Sequence, residues 1–448
     1  MRKVLIILLV ALVSCENGLN LKPKMQIDAD EAFSTEENIY SALIGCYDAL
    51  QQQHYYGRNL IIVGDIASDN SIATGTKIEY YSVDENALLS DNILVEGIWR
   101  EIYTAINRVN YMLYKLDDVN FLSADKMKDY QGQLRFLRAL HYFNLVRLYG
   151  GVPLKLLPTL NTSSSNFLPR SSVQDVYNQI ILDLEFAEQN IANVLPHKAS
   201  VRSTKALLSS VYLTLGNYSS ALLYSSQVLS MNSELEDNLS ELYANSAEPS
   251  KEIIFYIPFT PSDKNRMAEY HLPNQLSGRW ENSPSQKLIS MIDASDERKE
   301  FAAAYITPSD NQRRYFTKKY KDLSTGTDNI IVFRNAEMYL IRAEANYMLD
   351  SVANLNAILD DINAIRNRAN LPNIESVSVG NSLIGLIDKE KQVEFAFEGK
   401  RWFDLIRTGK ALSNVPKVTQ TYQFLFPLPQ SEIIANPNID IEDQNEGY

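Results

Sequence analysis

Helical periodicity between Arg334 and Lys410 constrains the fold of this chain more than any other sequence feature. Asp350 and Ser351 can turn the chain between two periodic segments, and Pro372 follows the second of them. The apolar residues repeat at the spacing of an α-helix: Ala336, Leu340, Ala343 and Tyr347, then Leu355, Ile358, Ile362, Ile365 and Ala369. Because two apolar stripes joined by a short turn must face each other, the pattern predicts an antiparallel helical hairpin.

The same period occurs earlier in the chain and predicts further hairpins over Asn92–Tyr149 and Val173–Leu229. Within the second range, one set of residues follows the tetratricopeptide pattern of helix, turn and helix: Leu208, Tyr212, Gly216, Tyr218, Ala221 and Val228. Repeats of this kind stack side by side and bury a shared core. We therefore predict a mostly α fold with a tetratricopeptide-like helical-repeat scaffold, mainly residues 32–232 and 334–410.

Two long stretches interrupt this helical pattern. Residues 54–90 lose the helical period, and residues 252–332 are rich in loops. The second stretch contains three runs that resemble short strands: Ile253–Phe259, Arg313–Lys321 and Asn329–Phe333. Long irregular segments usually carry function. We therefore expect these two stretches, which form the loop-rich part of the protein, to bind a ligand.

The N-terminus has the pattern of a bacterial lipoprotein precursor. Basic residues precede an apolar run, Val4 to Val13, that is too short to span a bilayer. The run ends in a sequence that resembles a lipobox, in which Cys15 is lipidated and becomes the first mature residue. The alternative is an ordinary signal peptide with a chance cysteine. The prediction is a signal peptide over residues 1–14, a tether over 15–24 and a single domain over 25–448.

Composition and motifs disfavour two classes of function. The formal net charge of −13 argues against a nucleic-acid partner. The four histidines are far apart, and no phosphate-binding loop or nucleophile motif occurs, so no catalytic residue, cofactor or metal is predicted. Glu390, Glu394 and Glu398 have the spacing of paired carboxylates, as in a glycosidase. We expect them instead to be surface charges or partners of Lys and Arg.

Trp280 is the strongest candidate for ligand contact. It lies in a loop without apolar periodicity, and an indole face can stack on a sugar ring while Arg279 and Asn282 supply polar contacts. The alternative is that Trp280 only pins its loop to the helices. Further candidates in the first irregular stretch are Tyr55, Tyr56, Tyr80 and Tyr81, together with Asp65, Asp69 and Asn70. The last three can bind hydroxyl groups or calcium, although capping and turn roles are also open. Trp99 and Trp402 are predicted core residues.

Several motifs resemble those of the SusD/RagB family of surface nutrient-binding lipoproteins. The matching segments are Arg342-Ala343-Glu344-Ala345, Arg401-Trp402-Phe403-Asp404-Leu405, Tyr149-Gly150-Gly151-Val152-Pro153 and Leu425-Phe426-Pro427-Leu428-Pro429. Lys391 stands where that family usually has Arg, which keeps the charge but loses the planar fork. The resemblance covers nearly the whole mature chain and is absent in the loops.

The resemblance implies a lipoprotein anchored in the outer membrane and facing the cell exterior. It implies that the protein captures a glycan, or in some relatives a peptide, and hands it to a SusC-like TonB-dependent transporter without covalent chemistry. The sequence leaves two other classes of function open. One is a tetratricopeptide-type interaction scaffold without a small ligand, and the other is a surface glycosidase.

Overall fold

The computed structural model describes residues 31–448, apart from residues 162, 164, 165, 247 and 379. The predicted signal peptide, Cys15 and the tether lie outside the described residues. The chain divides into two compact units, Met1–Ala42 and Leu43–Tyr448. In the first unit, the described part consists of a 3₁₀ turn over Glu31–Phe33 and the start of a helix at Glu36. The single-domain boundaries stay a prediction.

Most of the described chain is helical, as predicted. The α-helices are α1 Glu36–Asp48, α2 Asn59–Ile66, α3 Ile78–Asp84, α4 Ile93–Leu116, α5 Ala124–Tyr149, α6 Val173–Asn190, α7 Val201–Thr214, α8 Tyr218–Met231, α9 Leu239–Leu242, α10 Met267–His271, α11 Gln286–Met291, α12 Arg298–Ala302, α13 Asn335–Asp350, α14 Leu355–Arg368, α15 Asn381–Glu394, α16 Arg401–Arg407, α17 Ala411–Asn414 and α18 Gln430–Ala435. Short 3₁₀ helices follow at Ala49–Gln51, Asn274–Leu276, Thr421–Phe424 and Ile441–Asp443.

Local sequence signals set the ends of the long helices. The Asn92 side chain accepts a hydrogen bond from the backbone N–H of Leu94 at the start of α4. Ser123 caps α5 in the same way, and Gly150 ends that helix with φ at 75°. Gly216 turns the chain between α7 and α8 with φ at 72°. The predicted helical segments are therefore confirmed at boundaries close to those expected.

The long helices form a continuous series of packed neighbours. Helix α4 packs on α5, α5 on α6, α6 on α7, α7 on α8, α8 on α13 and α13 on α14. The series therefore continues across the loop-rich segment that separates α8 from α13 in sequence. Ala343 of α13 is fully buried against Ile358 and Ile362 of α14 and Ile387 of α15. This arrangement is consistent with stacked hairpins, and the tetratricopeptide-like detail stays a prediction.

The loop-rich part contains three short antiparallel strand pairs. Strand β1 (Ser71–Ala73) pairs with β3 (Asn282–Pro284), β2 (Ile253–Ile257) with β6 (Ile330–Arg334), and β4 (Ala304–Ile306) with β5 (Arg314–Phe316). The predicted strands correspond to β2, β5 and β6, and the sequence did not indicate the other three. Residues 54–90 were wrongly expected to lack helices, since α2 and α3 lie there. Every residue of α2 is buried, so this helix has no polar face and therefore no visible period.

A group of buried charges, the buried ion network, joins the loop-rich part to the scaffold. Its members are Arg298, Lys319, Arg334 and Arg368, with Glu252, Asp296, Glu390, Glu394 and Glu398. The partly exposed Arg366 joins it at Glu390. The side chain of Arg334 is fully buried and contacts Glu252 at 3.0 Å, Glu398 at 2.8 Å and also Glu394. Lys319, which follows β5, contacts Glu398 at 2.6 Å.

The buried ion network shows that one prediction about the three glutamates was partly wrong. Glu390, Glu394 and Glu398 are partners of basic residues, as expected, but they are buried and not on the surface. Burial alone would raise the pKa of Glu398, and the charges of Arg334 and Lys319 instead lower it to about 2. Nearby arginines likewise hold the pKa of Glu394 well below its ordinary value, so Glu394 and Glu398 stay ionised inside the protein. Their contacts fix the segment that carries β4 and β5.

The two tryptophans predicted to lie in the core are confirmed. Trp402 is fully buried on α16, and Trp99 of α4 is 4% exposed. The indole N–H of Trp99 donates to the carboxylate of Glu432 at 3.2 Å, which satisfies its polar atom. Both residues therefore stabilise the scaffold.

Candidate ligand-binding surface

The two loop-rich stretches of the sequence meet around Trp280. The hydroxyl of Thr74 donates to the backbone carbonyl of Trp280 at 2.6 Å, and the Thr74 N–H donates to the carbonyl of Glu281 at 3.2 Å. The buried Glu281 carboxylate accepts hydrogen bonds from the backbone N–H groups of Thr76 at 2.8 Å and Lys77 at 3.1 Å. Together with the β1–β3 pairing, these bonds bring residues distant in sequence to one surface.

Trp280 combines a structural contact with a partly exposed ring. Its indole N–H donates to the backbone carbonyl of Tyr315 at 2.8 Å. The guanidinium of Arg314 lies 5.3 Å from the ring centroid, and the side chain as a whole is half-buried. Trp280 thus pins its loop to β5 and still offers aromatic surface, so both interpretations of this residue keep structural support.

The backbone at Trp280 adopts a conformation that bulky residues rarely adopt. Its φ is 53°, in the left-handed region. Hydrogen bonds on both sides hold it there, from the Trp280 N–H to the carbonyl of Leu272 at 3.0 Å and from the Glu281 N–H to the carbonyl of Tyr270 at 2.8 Å. A Cβ at Gly278 would lie 1.9 Å from the Leu272 carbonyl oxygen, so this tight loop requires glycine there. Strain of this kind is concentrated at functional sites.

A pair of tyrosines that the sequence analysis did not single out lies beside Trp280. Tyr305 of β4 and Tyr315 of β5 are direct partners across the strands, with ring centroids 5.5 Å apart. Tyr305 is 50% exposed and Tyr315 is half-buried. Ser283 fixes the pair from β3, because its hydroxyl donates to the Tyr315 carbonyl at 3.0 Å. A partly exposed tyrosine pair on a pinned hairpin is a suitable platform for stacking.

We define the aromatic surface as Tyr81, Trp280, Tyr305 and Tyr315. Tyr81 is 38% exposed, and its hydroxyl donates to the carbonyl of Gly75, next to the Thr74 that holds Trp280. Arg279 is also exposed, and it pairs with Glu281 at 3.2 Å. Of the predicted site residues, the structure therefore brings Tyr81, Arg279 and Trp280 together at the surface.

The other candidate tyrosines lie inside the protein. The Tyr55 hydroxyl lies 2.9 Å from Nδ1 of His141 and accepts a hydrogen bond from Asn144 at 3.0 Å. Tyr56 accepts a second bond from Asn144, and burial raises the pKa of Tyr56 to about 12. The Tyr80 hydroxyl donates to Asn59 at 2.7 Å. The hydroxyl groups of these three residues are therefore occupied by hydrogen bonds inside the protein.

The candidate carboxylates and amides also have internal partners. Asp65 accepts hydrogen bonds from the N–H groups of Phe397 at 3.1 Å and Gly399 at 2.8 Å, and from the Asn70 side chain. Burial raises the pKa of Asp65 to about 6. Asp69 pairs with Arg401 at 2.7 Å and with Lys287 at 2.8 Å. Both carboxylates hold the α2–β1 segment to the region around α16.

Asn282 is fully buried and donates to Nε2 of His271 at 3.2 Å, while Nδ1 of that ring lies 2.8 Å from the Met267 carbonyl. Among the described residues, the side-chain amide oxygen Oδ1 of Asn282 has no hydrogen-bond partner. Within the part of the chain that the structure describes, no group of three or more acidic, histidine or cysteine side chains is arranged to hold a metal ion.

A cavity lies between the scaffold helices and β6, away from the residues of the aromatic surface. Its volume is about 90 Å³, and Tyr56 contributes to its lining. The Arg147 guanidinium lies between the rings of Phe143 and Phe403, 3.9 and 4.1 Å from their centroids. Of the predicted site residues, only Tyr56 lines this cavity, and it is 5% exposed.

The length and apolar character of the described helices indicate whether any of them could cross a membrane. Over residues 31–448, leaving aside the five positions that are not described, we find no helix that combines the length and apolar character needed to cross a bilayer.

The fold and its surface are those of a helical scaffold that presents an aromatic platform on irregular segments. Residues 279–419 match the model of the SusD family, and residues 19–213 match the model described as "Starch-binding associating with outer membrane". The chain belongs to the SusD family.

Individual relatives agree with this assignment. SusD-like protein P38 of Formosa agariphila is 26% identical, over 99% of this chain and 98% of its own length. A SusD superfamily protein from Bacteroides vulgatus has a TM-score of 0.83 at 21% identity, covering 93% of this chain and all of its own. A laminarin-binding SusD-like protein has a TM-score of 0.78 at 24% identity, with 92% and 100% covered. The two solved structures establish the fold alone.

Proposed function

We propose that the protein captures a glycan at the aromatic surface while Cys15 anchors it to the outer membrane. The single observation that carries the binding proposal is the Tyr305–Tyr315 pair beside Trp280, in which Tyr305 is exposed and Tyr315 half-buried. The apolar face of a sugar ring stacks on such rings, and nearby polar groups bond to its hydroxyls. The description of the matched family model as starch-binding supports this choice of ligand class. One relative of the same fold carries a name that describes it as laminarin-binding.

The mechanism is capture followed by handover to a SusC-like TonB-dependent transporter. The protein would supply affinity and position the ligand, with no bond made or broken. Helical repeats often offer extended surfaces to protein partners, which supports docking of the scaffold on the transporter while the loops hold the ligand. Co-purification of a tagged full-length chain from outer membranes tests this step, because a barrel transporter should be recovered with it.

Titration of the protein with polysaccharides and peptides tests capture. We expect binding of at least one glycan, and Tyr305→Ala should weaken it several-fold, because each aromatic contact adds roughly 0.5–1.5 kcal/mol. Tyr114→Ala is the matched control, since Tyr114 is 44% exposed on scaffold helix α4. Binding of peptides alone would favour a peptide-binding member of the family. Binding of neither would favour an interaction scaffold.

A further inference from the structure

We infer that the aromatic surface takes an acidic glycan, whose carboxylate or sulfate groups bind Arg313. This inference rests on the proposed function and names the class of glycan. Arg313 immediately precedes β5 and is exposed. Its guanidinium lies 4.4 Å from the ring centroid of Tyr305, and its Nη1 donates to the Tyr315 hydroxyl at 3.3 Å. The charge is thus placed on the same tyrosine pair that would stack on the sugar.

Arg313 is not neutralised by the protein. Among the described residues, no carboxylate lies within ion-pair distance of its guanidinium, and its only hydrogen bond there goes to a neutral phenol. Four other basic side chains of the surrounding loops do have acidic partners: Arg314 with Asp310 at 2.5 Å, Arg279 with Glu281 at 3.2 Å and Glu269 at 3.9 Å, Arg266 with Glu269 at 2.5 Å, and Lys77 with Glu79 at 3.7 Å. Arg313 therefore leaves one positive charge uncompensated at the platform.

The hairpin holds this charge in a defined position. Between β4 and β5, the Asn311 N–H donates to the Pro308 carbonyl at 3.0 Å, and the Gln312 N–H donates to the Asp310 carboxylate at 3.0 Å. Trp280 and Ser283 both donate to the carbonyl of Tyr315, two residues beyond Arg313. A binding group presented by such a fixed turn loses little conformational freedom when a ligand binds.

The chemistry of the guanidinium selects for anionic oxygens. Its planar donor groups match a carboxylate or sulfate group, and its contact with the Tyr305 ring helps to hold it in place. One donor contacts Tyr315, which leaves the remaining N–H groups for a ligand. The chain as a whole carries a formal charge of −13, which repels polyanions. To bind at the platform, an acidic sugar therefore requires a local uncompensated cation, whereas a neutral sugar does not.

The test compares three polysaccharides on the full chain by isothermal titration: laminarin as a neutral glucan, alginate as a polyuronate and carrageenan as a sulfated galactan. We expect alginate or carrageenan to bind at least about tenfold more tightly than laminarin, with affinity falling as salt is added. Arg313→Gln should lower that affinity roughly tenfold, as for loss of a hydrogen bond to a charged group. The acidic polymer that responds identifies the anionic group.

Two control variants help to distinguish failure of this inference from failure of the proposed glycan capture. Arg100→Gln removes an exposed arginine from scaffold helix α4 and should leave affinity unchanged. Arg313→Lys keeps the positive charge but loses the planar donor fork. Its affinity should therefore lie between that of Arg313→Gln and that of the parent. Laminarin bound as tightly as the acidic polymers, with no effect of Arg313→Gln, would overturn this inference and leave glycan capture standing. Absence of binding to all three would overturn both.

Discussion

The guanidinium of Arg334 donates to both carboxylate oxygens of Glu398, at 3.1 Å from Nε and 2.8 Å from Nη2. The Arg334 side chain is fully buried, and that of Glu398 is 3% exposed. Arg334 ends β6, whereas Glu398 follows α15, so the pair joins the strands of the loop-rich part to the C-terminal helices. The same Glu398 accepts from Lys319, which follows β5 and the Tyr315 of the aromatic surface. The buried ion network therefore positions the proposed site.

Removing Arg334 should strongly destabilise the protein. Arg334→Ala would leave the buried Glu398 without its main partner and Glu394 without one of its three, at a cost of roughly 3–5 kcal/mol in the free energy of unfolding. Urea denaturation measures that change. Arg100→Ala is the matched control, because Arg100 pairs with Glu96 on the surface of α4 and such pairs contribute only about 0–1 kcal/mol. Equal stability of the two variants would show that the network does not support the fold.

Stability should depend on pH through Glu398. Its pKa in the folded protein is about 2, below its ordinary value of 4.5, so the folded state binds its proton less readily than the unfolded state. The corresponding stabilisation is fully present above pH 4.5 and is lost as the pH falls towards 2. One group with this shift contributes roughly 3 kcal/mol.

The variant Glu398→Gln tests this dependence. It should be less stable than the parent at pH 7, and its unfolding free energy should fall less steeply between pH 4.5 and 2. The contribution of Asp65 to the free energy of unfolding changes with pH in the opposite direction, because burial raises the pKa of Asp65 from 3.8 to about 6. Its contribution is therefore lost as the pH rises through 6. Identical slopes for variant and parent below pH 4.5 would contradict the role given to Glu398.

The scaffold was predictable because its helices have one apolar face. In α4, Ile98, Ile102, Ala105 and Val109 lie on one stripe, and all four are buried. Helix α2 was missed for the opposite reason, since Leu60, Ile61, Ile62 and Val63 are consecutive and all buried. A helix enclosed on every side has no periodic contrast between apolar and polar positions, so its sequence resembles that of any short apolar run.

The site was only partly predictable because it depends on contacts between distant residues. Trp280 was identified from its unusual place in a loop, and Tyr81 from its place in an irregular stretch. Tyr305 and Tyr315 become a pair only through the β4–β5 register. Their sequence does contain a signal, since a turn around Pro308 and Asn311 separates them. Arg334 and Glu398 are 64 residues apart, and no local pattern connects them.

Lipidation of Cys15 is the prediction for the N-terminus, which lies outside the described residues. Cys15→Ala should abolish incorporation of a fatty-acid analogue and leave the protein soluble or unprocessed, because the acyl chains supply the membrane affinity. Cys46→Ala is the control and should still be labelled. Cys46 is buried, and burial raises the pKa of its thiol to about 12, so it is not a reactive nucleophile. Labelling that survives loss of Cys15 would exclude it as the anchor.

Trp280 allows the clearest test of ligand binding at the aromatic surface, because different atoms of its indole would make the ligand contact and the structural hydrogen bond. The ring face would contact a sugar, whereas the indole N–H pins the loop to the Tyr315 carbonyl. Trp280→Ala removes both, so affinity should fall several-fold and the free energy of unfolding by roughly 1–3 kcal/mol. Trp280→Phe keeps a ring but has no N–H donor. It should lose part of the stability, about 0.5–1.5 kcal/mol, and retain most of the affinity.

Titration calorimetry and thermal melting of the same two variants distinguish these roles. Affinity that follows the presence of a ring, with stability that follows the N–H group, would support a ligand-contacting tryptophan. If both variants bind glycan like the parent and only melt earlier, Trp280 acts as a structural pin. Tyr305→Ala would then still be informative, because Tyr305 is half exposed and its ring packs against Tyr315 and Arg313. Binding that survives all three substitutions would place the glycan site away from the aromatic surface.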